Sequence, residues 1–130
     1  MARVLLVDDD PTLRSVLADS LREDGYAVQV FAAPGEVPAL DTLSAIDLVI
    51  TDYEMPGESG LAFADRFHAV YPAVPVVLMS AHCASTFAGA VTARHFLHLW
   101  GKPFVYDELN ALLHQLAADA ANGHRAVHQP

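Results

Sequence analysis

The residues most able to do chemistry in this chain are carboxylates, one hydroxyl and one ammonium. Three acids stand together at Asp8, Asp9 and Asp10, and a fourth, Asp52, ends an apolar run. Ser80 ends another apolar run, and the only lysine of the chain, Lys102, is followed by Pro103 and Phe104. Clustered carboxylates repel one another, and without a counter-charge some of them stay protonated. A hard divalent cation relieves that conflict. Mg²⁺ takes oxygen ligands, tolerates few protein carboxylates and keeps positions for water and phosphate. A lysine is a compact charge suited to a phosphate oxygen, and a serine hydroxyl can donate to another. Together these groups suit phosphoryl transfer to a carboxylate nucleophile, which yields an acyl phosphate.

Such chemistry requires segments distant in sequence to meet, and the pattern of the chain supplies a way. Short apolar runs at 3–7, 26–31, 46–51, 74–79 and 96–100 alternate with stretches of helical character. Residues 11–24 place Leu13, Val16, Leu17 and Leu21 on one helical face, with Asp10 as N-cap, Pro11 in the first turn and Gly25 as the stop. Residues 34–43 are a short helix candidate weakened by Pro34 and Pro38. A turn-rich loop from Tyr53 to Gly60 leads through Ser59, a plausible cap, into a helix over 60–69. Helices are expected again at 83–93 and at 105–121, the latter with Leu109, Leu112, Leu113 and Leu116 on one face. Residues 1–121 thus form one domain, and 122–130, which lack periodicity, a flexible tail or the start of a linker.

Five strands alternating with five helices imply parallel pairing and right-handed crossovers. The fold class is α/β: a doubly wound, five-stranded parallel sheet with helices on both faces, flavodoxin-like, in the order 2-1-3-4-5. Ligands of such sheets bind at the carboxyl ends of the strands where the order reverses, here between the first and third. Asp8, Asp9, Asp52, Ser80 and Lys102 all fall at that edge.

Composition narrows the function classes. The chain has 130 residues, 53% of them hydrophobic, enough for one packed domain without disulfides. Formal net charge is −9, from 16 acids against 7 lysines and arginines, which opposes direct binding of nucleic acid. No apolar run approaches the length of a membrane span, and no signal peptide is expected, so a cytoplasmic location is the simplest expectation. The single cysteine, Cys83, is read as a small hydrophobe. His95 and His98 fall in or beside a strand, where a three-residue spacing makes no metal site.

The segments VLLVDDDPTLRSVL (4–17), DLVITDYEMPGESG (47–60), VVLMSA (76–81) and KPF (102–104) resemble the receiver domain of two-component response regulators, over about residues 3 to 120. The resemblance implies that Asp52 is the phosphoacceptor and that Mg²⁺ is bound by Asp9 directly, by Asp8 largely through water, by Asp52 and by the backbone carbonyl of Glu54. It implies that Ser80 is the switch hydroxyl and that Lys102 contacts the phosphoryl group across a cis Lys102–Pro103 peptide. The resemblance further implies that Glu54 and His82, at positions that vary in the family, modulate phosphoryl lifetime. The implied partners are a histidine kinase or a phosphotransfer domain and an unknown downstream protein or effector domain, with a homodimer as an option. Transfer onto Asp52 is partly self-catalysed, and no turnover enzyme is expected.

The chain departs from the family at two places. Three residues before the lysine the family usually has Tyr or Phe, and this chain has Leu99, which cannot report by ring rotation; Trp100 beside it points to the opposite face. Where the fourth helix of the family ends in Gly-Ala, this chain reads Arg94-His95-Phe96. Two other classes compete with the signalling receiver. A pseudo-receiver scaffold is disfavoured by the complete acidic pair, acceptor, hydroxyl and lysine. An Asp-nucleophile phosphatase resembling the haloacid dehalogenases is disfavoured by Glu54, where those enzymes place a second Asp, and by the lack of an enclosing cap.

Overall fold

The strands form because short β-branched and leucine runs are bounded by turn residues, and they pair in parallel because each return passes over a face of the sheet. A computed structural model describes residues 2–43, 45–81, 94–102 and 104–126, with side chains as far as Ala118. The strands are β1 (Arg3–Val7), β2 (Ala27–Phe31), β3 (Leu48–Asp52), β4 (Val76–Ser80) and β5 (Leu97–Gly101). All neighbouring pairs are parallel, and the order across the sheet is β2-β1-β3-β4-β5. This is the flavodoxin-like order expected from the sequence.

Three helices are described: α1 (Pro11–Glu23), α2 (Gly60–Val70) and α3 (Tyr106–Ala126). The helix expected at 83–93 lies outside the described residues, as do Cys83, His82 and Pro103 with its peptide bond. Asp10 caps α1 as anticipated: its Oδ1 accepts from the backbone N–H of Thr12 at 3.0 Å and of Leu13 at 3.2 Å. Gly25, at φ 95°, carries the chain out of that helix in the left-handed region. Ser59 caps α2 by accepting from the N–H of Ala62 at 3.1 Å.

The side chains of β1 alternate between two cores. Val4 and Leu6 join Leu17 and Leu21 of α1 and Leu109 and Leu113 of α3 on one face. Leu5 and Val7 join Phe63, Ala64 and Phe67 of α2 on the other. Leu99 packs with the α2 face and Trp100 with the α1/α3 face, as strand alternation requires. At the β2 edge of the sheet, the Arg22 guanidinium donates to the Val28 carbonyl at 3.0 Å.

Four local expectations are corrected. Residues 34–43 form two 3₁₀ turns, Pro34–Glu36 and Leu40–Thr42, because Pro38 removes a donor and bars the preceding residue from helical geometry. The Tyr71 hydroxyl donates to the Leu40 carbonyl and ties the second turn to the end of α2. Val16 is 58% exposed, and Ala18, at 3%, takes its place on the buried stripe. Helix α3 continues to Ala126, past the point where the periodicity of the sequence ends. β2 starts at Ala27, and the third, fourth and fifth strands are each shifted toward the C-terminus, so that Asp52 and Ser80 are themselves the last strand residues.

Phe67 has no exposed surface and packs between Phe63 and Tyr71, with ring centroids 6.2 and 4.9 Å away. Phe67→Ala is expected to cost about 3–5 kcal/mol of stability, read as a lowered midpoint in urea unfolding.

Candidate functional site

The site arises from register. Val7 lies opposite Thr51, so Asp8, one residue on, emerges beside Asp52. On the other side of β3, Asp52 pairs with Met79, and Ser80 pairs with Gly101, which puts Lys102 next in line. The Lys102 N–H donates to the Ser80 carbonyl at 2.8 Å, so the ends of β4 and β5 are fixed to each other. Four strand ends from across the sequence thus deliver their polar residues to one edge.

One carboxylate oxygen from each of Asp8, Asp9 and Asp52 lies within 4.8 Å of the others, the one such metal-capable group among the described residues. Asp8 is fully buried, Asp52 is 7% exposed, and Asp9 faces solvent. Lys102 Nζ lies 3.1 Å from Asp52 Oδ1 and 3.5 Å from Asp8 Oδ2. The single ammonium therefore serves two buried acids. Ser80 is 1% exposed and closes the same edge.

Electrostatics follow from this shortage of positive charge. Burial pushes the carboxyl groups of both Asp8 and Asp52 above the usual aspartate value. For Asp52, the hydrogen bond and charge of Lys102 oppose that rise, while the charges of Asp8 and Asp9 add to it. Asp8 Oδ1 accepts from the N–H of Asp10 at 2.9 Å, but its buried Oδ2 accepts no hydrogen bond. A buried carboxylate oxygen met only by the shared Lys102 ammonium at 3.5 Å, with two further acids beside it, fits a hard cation. The donor set is all oxygen, as Mg²⁺ prefers.

Two supporting residues escaped the sequence reading. Arg14 Nη1 donates to the Asp8 carbonyl at 2.8 Å, holding the acidic turn from one helical turn along α1. In sequence Arg14 is an ordinary helix-surface residue. In sequence Gly60 is the last residue of a turn and the first of a helix, with nothing to mark a close contact. A Cβ there would sit 2.0 Å from the Asp52 carbonyl oxygen and 2.9 Å from Leu78 Cδ1, so only glycine lets α2 begin against the backbone of Asp52. The Gly60 N–H donates to the Tyr53 carbonyl at 2.9 Å, and the Tyr53 N–H to Met79 at 2.8 Å, closing the loop around the site. The loop is also held by Arg66, which meets Glu58 through Nε at 3.1 Å and Nη2 at 2.8 Å. Glu54 is exposed in this loop, between the partly buried Tyr53 and Met55, and Leu99 packs on the α2 face of β5.

A groove of about 540 Å³ lies between α1 and the start of α3, lined by Leu13, Val16, Leu17, Phe104 and Tyr106 together with Lys102. The Tyr106 hydroxyl donates to Asp24 Oδ2 at 2.7 Å and pins α3 to the end of α1.

Residues 4–114 match the family model described as the response regulator receiver domain. The chain is 32% identical over 108 residues to the DNA-binding transcriptional regulator NtrC of Klebsiella pneumoniae, which covers 83% of this chain and 23% of that protein. It is 38% identical over 120 residues to the response regulator protein FleR of Pseudomonas aeruginosa, covering 92% and 24% respectively. The chain thus spans about a quarter of the length of these curated relatives. Among solved structures, a response regulator receiver protein from Sinorhizobium medicae superposes with TM-score 0.82 at 25% identity, covering 92% of this chain and 96% of that one. The response regulator protein TrrA of Thermotoga maritima, solved in complex with Mg²⁺ and beryllofluoride, gives TM-score 0.77 at 31% identity, covering 89% and 99%.

The raised carboxyl groups give a prediction of definite sign. An acid whose folded-state value lies above its unfolded value favours folding at low pH and loses that contribution as pH rises through the folded-state value. Ionisation of Asp52 as pH rises therefore works against the fold. Asp52→Asn is expected to melt a few degrees above the parent in EDTA near pH 7, and the gap should shrink as pH falls toward about 4. Added Mg²⁺ should raise the melting temperature of the parent more than that of the variant. Gly60→Ala should move the other way, losing about 1–3 kcal/mol to the clash with the Asp52 backbone, measured by urea unfolding.

Proposed function

This chain belongs to the response regulator receiver family, and on that premise we propose that its acidic pocket accepts a phosphoryl group on Asp52 in a Mg²⁺-dependent step and passes the signal on by a change of conformation. The observation that carries the reading is the convergence of Asp8, Asp9 and Asp52 within 4.8 Å of one another, with Lys102 Nζ 3.1 Å from Asp52. In that pocket Asp8, Asp9, Asp52 and the backbone carbonyl of Glu54 would hold the ion. When bound, Mg²⁺ supplies the positive charge that lets three carboxylates and a phosphoryl group share one site.

The chain's own residues do the rest. One oxygen of Asp52 attacks phosphorus as the bond from phosphorus to the donor nitrogen breaks, so the carboxylate becomes an acyl phosphate and the donor imidazole leaves. Lys102 is already beside the acceptor and shifts its charge to a phosphoryl oxygen. The Ser80 hydroxyl, buried at the same edge, donates to another, and its movement is the first step of the switch. Arg14 and Gly60 fix the backbones of Asp8 and Asp52 and so preserve the in-line geometry. Glu54 and His82 flank the phosphoryl position in the family and tune access of water to it. No substrate turns over: the chain assists its own phosphorylation and slowly loses the group to water.

The donor would be a histidine kinase or a phosphotransfer domain, and the apolar groove between α1 and α3 shares Lys102 with the acceptor site. The output would pass to an effector domain or a separate protein, consistent with relatives about four times as long.

Incubation with acetyl phosphate and Mg²⁺ is expected to add one phosphoryl group, located on Asp52 by mass spectrometry. Asp52→Asn and EDTA should each abolish the gain, and Lys102→Ala should slow it at least tenfold, about the loss expected for one charge contact to the transferring group. A parent protein that gains nothing at Asp52 would return the chain to a binding scaffold.

A further inference from the structure

The two departures from the family meet on one side of the molecule. Leu99 removes the aromatic reporter from β5, and Arg94 and Phe96 stand just before that strand. Both of the latter engage α2. Arg94 donates through Nε to Asp65 Oδ1 at 2.7 Å and through Nη2 to Oδ2 at 2.8 Å, a two-pronged contact. One turn further along α2, the His68 ring stacks on Phe96 with centroids 3.8 Å apart and planes 9° from parallel. The lead-in is tied to the sheet as well, since the Leu97 N–H donates to the Arg94 carbonyl at 3.2 Å and the Val76 N–H to the Phe96 carbonyl at 2.8 Å.

Helix α2 is the element that connects this contact to the acceptor. Its first residue, Gly60, lies against the Asp52 carbonyl, and Arg66 reaches back to Glu58 of the acceptor loop. Its neighbour Asp65 reaches forward to Arg94. This helix thus touches the phosphoacceptor backbone with its first residue and the approach to β5 from its middle and last turn. Isolated surface ion pairs contribute little, but a bidentate guanidinium–carboxylate pair backed by ring stacking fixes both distance and orientation.

Resting on the reading of Asp52 as phosphoacceptor, we propose that Asp65–Arg94 and His68–Phe96 form a latch that holds the approach to β5 on α2 and favours the unphosphorylated arrangement, doing the positional work that an aromatic at 99 does elsewhere in the family. A contact made in one arrangement and released in the other biases the equilibrium by its own free energy. Asp65, Arg94, His68 and Phe96 are positioning residues: none touches the acids, and their effect reaches Asp52 through α2.

The test is titration of the parent chain and of Asp65→Asn and Arg94→Ala with beryllofluoride and Mg²⁺, followed by the fluorescence of the single tryptophan, Trp100. Each variant is expected to bind the phosphoryl mimic about fivefold more tightly than the parent, a coupling of ordinary size. Affinities equal to or weaker than the parent's overturn the latch. Asp65→Asn keeps the shape of the side chain, and a second reading needs no variant: hydrogen exchange of the Leu97 amide in the parent should quicken when the adduct forms, and unchanged exchange overturns the latch. If the parent itself forms no adduct, the reading of Asp52 fails and the latch falls with it, whereas a parent that binds alongside indifferent variants removes the latch alone.

Discussion

The structure depends on one unresolved electrostatic conflict: two buried carboxylates, Asp8 and Asp52, share a single ammonium, Lys102, while a third acid stands at their rim. Burial makes the charged forms costly, and proximity makes them costlier. The fold accepts this because parallel strands end together, and the two cores on either face of the sheet stabilise the strands that carry the acids. Function and instability share an origin. The crowding of acids that opposes folding is also what a hard cation at this edge would relieve.

The layers above the sheet have distinct duties toward that conflict. Helix α1 starts from Asp10, so the last acid of the run is spent on capping and only two remain for the site. Arg14 then returns one turn later to hold the Asp8 backbone. Helix α2 begins where its lack of a Cβ permits contact with Asp52 and ends where Tyr71 grips the turn at Leu40. Helix α3 is anchored at its first residue, Tyr106, whose hydroxyl is held by Asp24 and whose ionisation is pushed upward by burial and by that acid. Each helix is thus positioned at the end nearest the site by a polar contact and along its length by leucine or phenylalanine packing.

Much of this was legible before any coordinates. Apolar runs that stop abruptly at Asp8, Asp52, Ser80 and Lys102 reveal strand ends, and the rule that parallel sheets bind ligands at those ends gathers the residues into one place. The order of the strands followed from the alternation of patterns. What escaped notice depends on distance or on shape. The Asp65–Arg94 pair joins positions 29 apart through exposed side chains that look like any solvated face. Gly60 matters because of an atom it lacks, and only the approach of the Asp52 carbonyl gives that absence meaning. Val16 fits an idealised helical stripe, yet the true stripe turns toward Ala18 because the sheet lies on that side. Pro34 and Pro38 carried the warning that 34–43 would not form a full helix, and the two 3₁₀ turns are the compromise they allow.

The contact between Arg22 and the Val28 carbonyl bears on how this acidic domain avoids its own kind. β2 is an outer strand, and outer strands invite another chain to extend the sheet. A guanidinium lodged on a main-chain acceptor of that strand blocks one rung of the ladder an incoming strand would need, and places a cation where a backbone N–H would have to dock. Extension of the sheet by another strand is therefore opposed at this rung of the β2 flank.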